Sequence, residues 1–348
     1  MLKRIVMLLL VLALAGAGAA AWLGWRQIHR PYRGFIAPVD VEIAPGTGAG
    51  EILLQLEDAG VLADHRLARI HLALEGNPPL QAGTYRFAEA LTVPQAVRKL
   101  VTGDVLQTEA TVREGLSLEE TATVLATQGL GERDVLMRLM HDPSPIRDLD
   151  GEAETLEGYL FPESYRFPVG VDERTVVLKM VETFRARWEA RVLPLLGPGA
   201  ERSLRDVVIL ASIVEKEARL PEERPLISAV YDNRLRQGIA LYADPTVIFA
   251  LKRRGDWDGN IRKPDLGLED PYNTYVNPGL PPGPICSPGL SSLEAAAAPA
   301  EVPYLYFVSR NDGSHVFSST YREHRRNVQE WQRDYWRRER ATPDTTGD

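Results

Sequence analysis

The sequence predicts an α+β protein tethered by an N-terminal transmembrane helix. Three patterns lead there: an uncharged apolar run from Ile5 to Trp25, a strand-turn-helix unit that recurs between residues 39 and 129, and apolar positions at helical spacing after residue 176, interrupted by a long Pro/Gly-rich stretch over 255–289. The 348 residues can hold an anchor and two modest domains, and an apolar fraction of 44% is ordinary for globular chains. A formal net charge of -8 argues against a nucleic-acid binder, because such proteins carry a basic face to neutralise phosphates. The single Cys286 cannot form an intrachain disulfide, so cores must hold the fold.

Lys3 and Arg4 precede the apolar run, and Arg26, Arg30 and Arg33 close it. Its length suffices for a bilayer core, which needs about 20 residues. A cleaved signal peptide is the rival reading, since Ala15 to Ala21 is rich in small residues and offers A-x-A-like sites. Trp22, Leu23 and Trp25 extend the run and place indoles at an interface, which favours an uncleaved anchor. Residues 1–30 are therefore read as the anchor with its flanks and 31–38 as a tether, with the bulk of the chain outside the cytoplasm.

The first repeat has an alternating strand at Val39 to Ile43, a turn at Pro45-Gly46-Thr47, and helical spacing of Ile52, Leu53 and Leu56. The second pairs Thr84 to Phe87 with Ala96, Val97 and Leu100, and the third pairs Thr111 to Arg113 with Leu118, Ala122 and Leu125. Thr92 with Gln95, and Ser117 with Glu120, match the capping box that satisfies helix-start amides. Residues 132–155 read as a polar insertion, and Leu156 to Phe167 is dense in aromatics with Glu157 and Glu163 embedded. Core packing explains most of that density, although sugar clefts also use rings. Val176 to Val192 reads as a helix, Gly197 to Gly199 as a loop, and 223–237 as a helix packing through Ile227, Val230, Tyr231 and Leu235. The stretch 255–289 is expected to be a loop that walls a cleft, since so long a structureless segment is often functional. After it come a helix at Ser291 to Ala298, a hairpin of Tyr304 to Ser309 with Ser314 to Phe317, a charged helix from Tyr321 to Arg340, and a flexible tail over 336–348.

Charge inside an apolar helix needs a reason, and Val207 to Arg219 carries Glu215 and Glu217. Leu210, Ile213, Val214 and Glu217 share one face at i, i+3, i+4 and i+7, whereas Glu215 falls off it. Desolvation favours the protonated form of a carboxylate, which suits a general acid, so Glu217 is the first catalytic candidate. Helix geometry alone leaves open a surface residue, or a pair with Lys216, Arg219 or a distant Arg. No Walker loop, dinucleotide fingerprint, H-E-x-x-H, zinc spacing or G-x-S-x-G elbow occurs, and His315 and His324 read as hairpin and helix residues.

Ser212-Ile-Val-Glu-Lys-Glu217, Asn233-Arg-Leu235, Asp244-Pro-Thr246, Tyr272-Asn-Thr-Tyr275, Gly279 to Ile285 and Ser287-Pro-Gly289 together resemble the endolytic murein transglycosylase family, also called MltG or YceG-like. The likeness extends over about residues 40–332. It implies a cell inner-membrane, single-pass anchor, a LysM-like α/β module at 39–108, and a mixed α+β catalytic domain at 109–335 in the periplasm. The family's catalytic glutamate is the second of the V-E-K-E motif, which falls on Glu217. The implied reaction cuts the MurNAc-β-1,4-GlcNAc bond of nascent peptidoglycan without water, leaving 1,6-anhydroMurNAc ends and terminating strand elongation. One acid suffices there, because the sugar's own C6 hydroxyl attacks. Asn233, Asp244, Thr246, Tyr272, Asn273 and Tyr275 are expected to bind substrate or stabilise charge, with loop scaffolding as the competing role. No cofactor or metal is implied; glycan strands, the inner membrane and peptidoglycan synthases are the implied partners. A hydrolase would need Asp244 or Glu163 as a second carboxylate, and a binding scaffold would show no turnover.

Overall fold

The computed structural model describes residues 2–197, 202–334 and 337. The expected tail falls outside them apart from Arg337, as do Pro198 and Gly199 of the expected loop and most of the charged helix beyond residue 334. The fold is mixed α+β, with helices dominant and strands in pairs. It divides into two compact units: residues 1–109 with 166–171, and residues 110–165 with 172–348.

In the first unit, α1 (Leu2–Ile28) is long and apolar enough to cross a membrane. Leu8, Leu12, Trp22 and Trp25 are all exposed on it, as a lipid-facing helix requires. Strand β1 (Val39–Ile43) pairs antiparallel with β2 (Gly83–Phe87), setting Val39 opposite Phe87. Alternation sends Val41, Ile43, Tyr85 and Phe87 inward. It sends Asp40 and Arg86 outward, where they make a two-pronged pair at 2.7 and 2.8 Å. Helices α2 (Ala49–Asp58), α3 (His65–Leu74) and α4 (Val93–Thr102) supply the rest of the core through Ile52, Leu53, Leu56, Leu72 and Leu100. The expected Thr92 capping box forms. Helix α3 had no counterpart in the sequence reading: only Ala68 and Leu72 of its ten residues are buried, so its apolar period is faint.

The chain leaves this unit through β3 (Gln107–Thr111) and re-enters it through β4 (Ser164–Pro168), with which β3 pairs. The strand expected at 111–113 thus ends at Thr111, since its alternation begins earlier.

In the second unit, α5 (Leu118–Thr127) starts at the expected Ser117 capping box. It packs on α6 (Arg133–Met140), which packs in turn on α7 (Glu173–Arg187). The segment 132–155 is therefore no polar insertion, because Leu136, Met140 and Ile146 are fully buried within it. Helix α8 (Leu204–Glu217) lies against α9 (Arg224–Arg236), α10 (Asp244–Arg254) and α11 (Leu290–Ala297). Every residue from Val207 to Val214 is buried, so α8 is enclosed on all sides rather than along one stripe. The hairpin of β5 (Tyr306–Ser309) and β6 (His315–Ser318) sets Tyr306 opposite Ser318. Helix α12 (Tyr321–Val328) follows it and continues as a wider turn to Asp334.

Gly158 ties the aromatic segment to α8. Its φ is +85°, and a Cβ there would stand 2.6 Å from Pro284 Cβ and 2.9 Å from Val208 Cγ1. Gly158→Ala combines left-handed strain with overpacking and is expected to cost about 2–4 kcal/mol. A urea midpoint unchanged from wild type would contradict that packing.

Candidate functional site

Glu217 ends α8, and the chain turns extended at Ala218, so its carboxylate leaves the helix end in a half-buried position. Its Oε1 accepts a 2.9 Å hydrogen bond from the hydroxyl of Tyr231, a buried residue of α9. Desolvation pushes the carboxyl up to about 7; the Tyr231 hydrogen bond opposes the rise, the Asp244 charge adds to it, and Arg234 opposes it. Four elements converge here: the end of α8, the middle of α9, the start of α10 with Asp244, and the loop carrying Tyr275. The Tyr275 hydroxyl donates to Asp244 Oδ1 at 2.6 Å.

Arg234 completes the cluster. It is 8% exposed, and its Nε and Nη1 hydrogen bonds go to backbone carbonyls rather than to a carboxylate. Its Nε donates to Leu305 O at 2.7 Å and its Nη1 to Leu241 O at 2.6 Å. The guanidinium lies 5.4 Å from the Tyr306 ring and 6.0 Å from Tyr242. Burial lowers its pKa, but Arg stays charged in proteins. The site therefore holds a fixed positive charge beside a carboxyl poised to gain or lose a proton.

Glu215, two residues away, has a different environment. Its Oε1 meets Arg224 Nη2 at 3.4 Å and its Oε2 accepts from Gly289 N at 3.0 Å. Both of its oxygens are spent on a cation and an amide, which is a structural arrangement. Glu163 is likewise held by Arg187 at 3.0 and 3.2 Å.

The expected substrate-binding residues divide by what they touch. Asp244 and Tyr275 join the Glu217 cluster. Asn233 spends its amide on Val302 O and Tyr304 O at 2.8 and 2.9 Å and receives Arg236 on Oδ1. Thr246 is fully buried, donating to Ala243 O and meeting Thr274 Oγ1 at 2.9 Å. Asn273, also fully buried, donates to Leu266 O and Leu268 O and receives Tyr275 N. Thr246 and Asn273 fix the backbones that carry Asp244 and Tyr275, whereas Asn233 fixes the segment leading into β5.

Tyr272 is turned elsewhere, into a cavity of about 470 Å³ whose lining does not include Glu217. It stands 4.9 Å from the Phe249 ring with Arg253 over it at 4.7 Å.

Tyr231 and Arg234 escaped the sequence reading, which gave Tyr231 to packing and Arg234 no role. A signal existed for Arg234: it sits at i+7 from Ile227 and i+3 from Tyr231, a cation on an apolar face, the anomaly that flagged Glu217. For a metal, the described residues bring Glu57, Asp64 and His65 together, but His65 bonds Glu57 and Asp64 caps α3.

The Tyr231 hydrogen bond favours ionised Glu217. Tyr231→Phe is therefore expected to raise the Glu217 pKa further and extend activity to higher pH, while lowering kcat by no more than about tenfold. A kcat/KM profile whose basic limb moves down instead would contradict the assignment.

A model of the YceG-like family matches residues 41–330. A curated Bacillus subtilis (strain 168) protein named endolytic murein transglycosylase is 28% identical over 309 residues, covering 82% of this chain and 82% of its own. A Streptococcus pneumoniae (serotype 2, strain D39) protein of the same name is 26% identical over 84% of this chain, which spans only 58% of that relative's length. Among solved structures, a yceG-like protein of Listeria monocytogenes matches with a TM-score of 0.58 and 30% identity, over 83% of this chain and 98% of the other.

Proposed function

Because the chain belongs to the YceG-like family, we propose that it is an endolytic murein transglycosylase, a lytic enzyme that cuts the MurNAc-β-1,4-GlcNAc bond of nascent peptidoglycan and leaves 1,6-anhydroMurNAc ends. The observation that carries this reading is Glu217: a desolvated carboxyl with a pKa of about 7, held by one neutral hydroxyl and free of any ion pair among the described residues. Such a group is substantially protonated at neutral pH and donates to the glycosidic oxygen as that bond breaks. It is then a carboxylate able to take the proton of the C6 hydroxyl as that oxygen closes on the anomeric carbon. The nucleophile is tethered to the substrate, so no second carboxylate has to activate water.

The other groups have roles consistent with this sequence. Asp244, held by Tyr275, offers negative charge to the oxocarbenium-like centre. Arg234 limits the rise of the Glu217 pKa, so that the proton can leave as well as return. Asn233, Thr246 and Asn273 act by positioning.

The anchor and location follow the same reading. Helix α1 holds the protein in the inner membrane with residues 109–335 in the periplasm as the catalytic part, where strands emerge from synthases and where cutting them ends elongation. Residues 39–108 serve as a LysM-like module, a role supported by their own sheet and core.

Uncrosslinked strands digested by the full-length protein are expected to give fragments of varied length with anhydro ends by mass spectrometry. Reducing ends would mark a hydrolase, and intact strands a binding scaffold.

A further inference from the structure

The cavity holding Tyr272 contains a second buried carboxyl that the proposed chemistry does not use. Glu157 is 9% exposed, its Oε2 accepts from Leu118 N at 3.1 Å, and among the described residues its Oε1 has no hydrogen-bond partner. An unpartnered buried carboxyl oxygen costs free energy unless something supplies a partner. Burial pushes Glu157 up to about 8, and the Glu120 and Glu119 charges add to the rise, while the Leu118 and Gly158 amides oppose it. At neutral pH it is a neutral acid with a proton to donate.

The walls suit an uncharged ligand with apolar faces. Tyr272, Phe249 and Trp257 supply rings, with Met137 and Pro284 beside them. The charges largely cancel: Lys252 pairs with Glu120 at 2.8 Å, Arg205 with Asp150 at 2.6 Å, and Arg253, over Tyr272, shares the lining with Glu119 and Glu154. Sugar rings present C–H faces that stack on aromatics, and an acetamido group brings a carbonyl that can accept from a buried acid.

Placement connects this cavity to the Glu217 site. Arg205, near the start of α8, lines the cavity, and Glu217 ends the same helix about 18 Å further on at 1.5 Å per residue. Helix α10 brings Asp244 to one site and Phe249, Lys252 and Arg253 to the other. The turn over residues 272–275 sends Tyr275 to Asp244 and Tyr272 to the cavity.

We propose that this cavity is a distal glycan subsite that takes an N-acetylated hexosamine of the strand, with Glu157 bonding the acetamido carbonyl and Tyr272 and Trp257 stacking on the ring. It rests on the transglycosylase reading and extends it: a strand gripped away from the bond being cut explains internal rather than terminal cleavage.

The test uses full-length Glu217→Gln protein in detergent, which removes turnover, and a β-1,4-linked N-acetylglucosamine tetramer as probe. Affinity is expected to fall as pH rises through about 8, because the ionised acid loses its donor. His141, Lys252, Arg205, Arg253, Glu119, Glu120 and Glu154 also face the cavity, so the profile is compared with that of Glu157→Gln, whose amide still donates. That variant is expected to bind with a flat profile across the same range, and Trp257→Ala to bind about tenfold more weakly. Binding that ignores both substitutions overturns the subsite and leaves the transglycosylase reading standing. No binding to the probe or to uncrosslinked strands overturns both.

Discussion

Glu217→Gln is expected to lower strand cleavage by about a hundred- to ten-thousand-fold, the usual worth of a positioned general acid-base. Glutamine keeps the shape and can still receive the Tyr231 hydroxyl, but it has no proton to give and no basic site to take one back. The same substitution carries a stability signature that separates lost chemistry from lost fold. The Glu217 pKa rises from 4.5 to about 7 on folding, so the native state binds the proton more tightly than the unfolded chain. The Glu217 contribution to stability therefore declines as pH rises from about 4.5 through about 7, because the ionised carboxylate must be held out of water. The neutral amide has no such cost. Glu217→Gln should match wild type under acid conditions and exceed it above pH 7, so an inactive variant that is also less stable at high pH would contradict the assignment.

Arg224→Ala is expected to produce the largest loss of stability, about 3–5 kcal/mol. Arg224 is 8% exposed and holds Glu215, whose side chain is 7% exposed. Its Nε also donates to Ser292 Oγ at 3.0 Å, tying α9 to α11. Truncation leaves the Glu215 carboxylate with only the Gly289 amide in a desolvated place, and Glu114 loses its nearest cation as well. Thermal unfolding of the variant should show the drop. A midpoint within a degree of wild type would mean that water reaches Glu215 freely.

The two glutamates show how far the sequence could be read. A charge inside an apolar run is legible once the helix is projected, and both residues stand out. The stripe that set Glu217 apart does not separate them in the fold, because α8 is buried all round. What separates them is a partner: Arg224 for Glu215 and Tyr231 for Glu217. Those partners come from a helix that begins only after a turn, and no local pattern specifies them. Elements with strong caps and clear periods were legible, as α4 and α5 illustrate. Helix α3 was missed because it buries little, and α6 because Asp and Pro around it mask a few deeply buried residues. Polar motif residues were the least legible. Asn233, Thr246 and Asn273 have side chains that suit a sugar, yet each is spent on backbone or a neighbouring side chain, a distinction only the folded chain makes.

The central claim is that Glu217 works alone because water takes no part. Digesting uncrosslinked strands in oxygen-labelled water tests it directly. The new ends should carry no label and should weigh one water less than hydrolytic ends. Label at the new anomeric position would contradict the claim and would give Asp244, already within electrostatic reach of Glu217, the task of activating water.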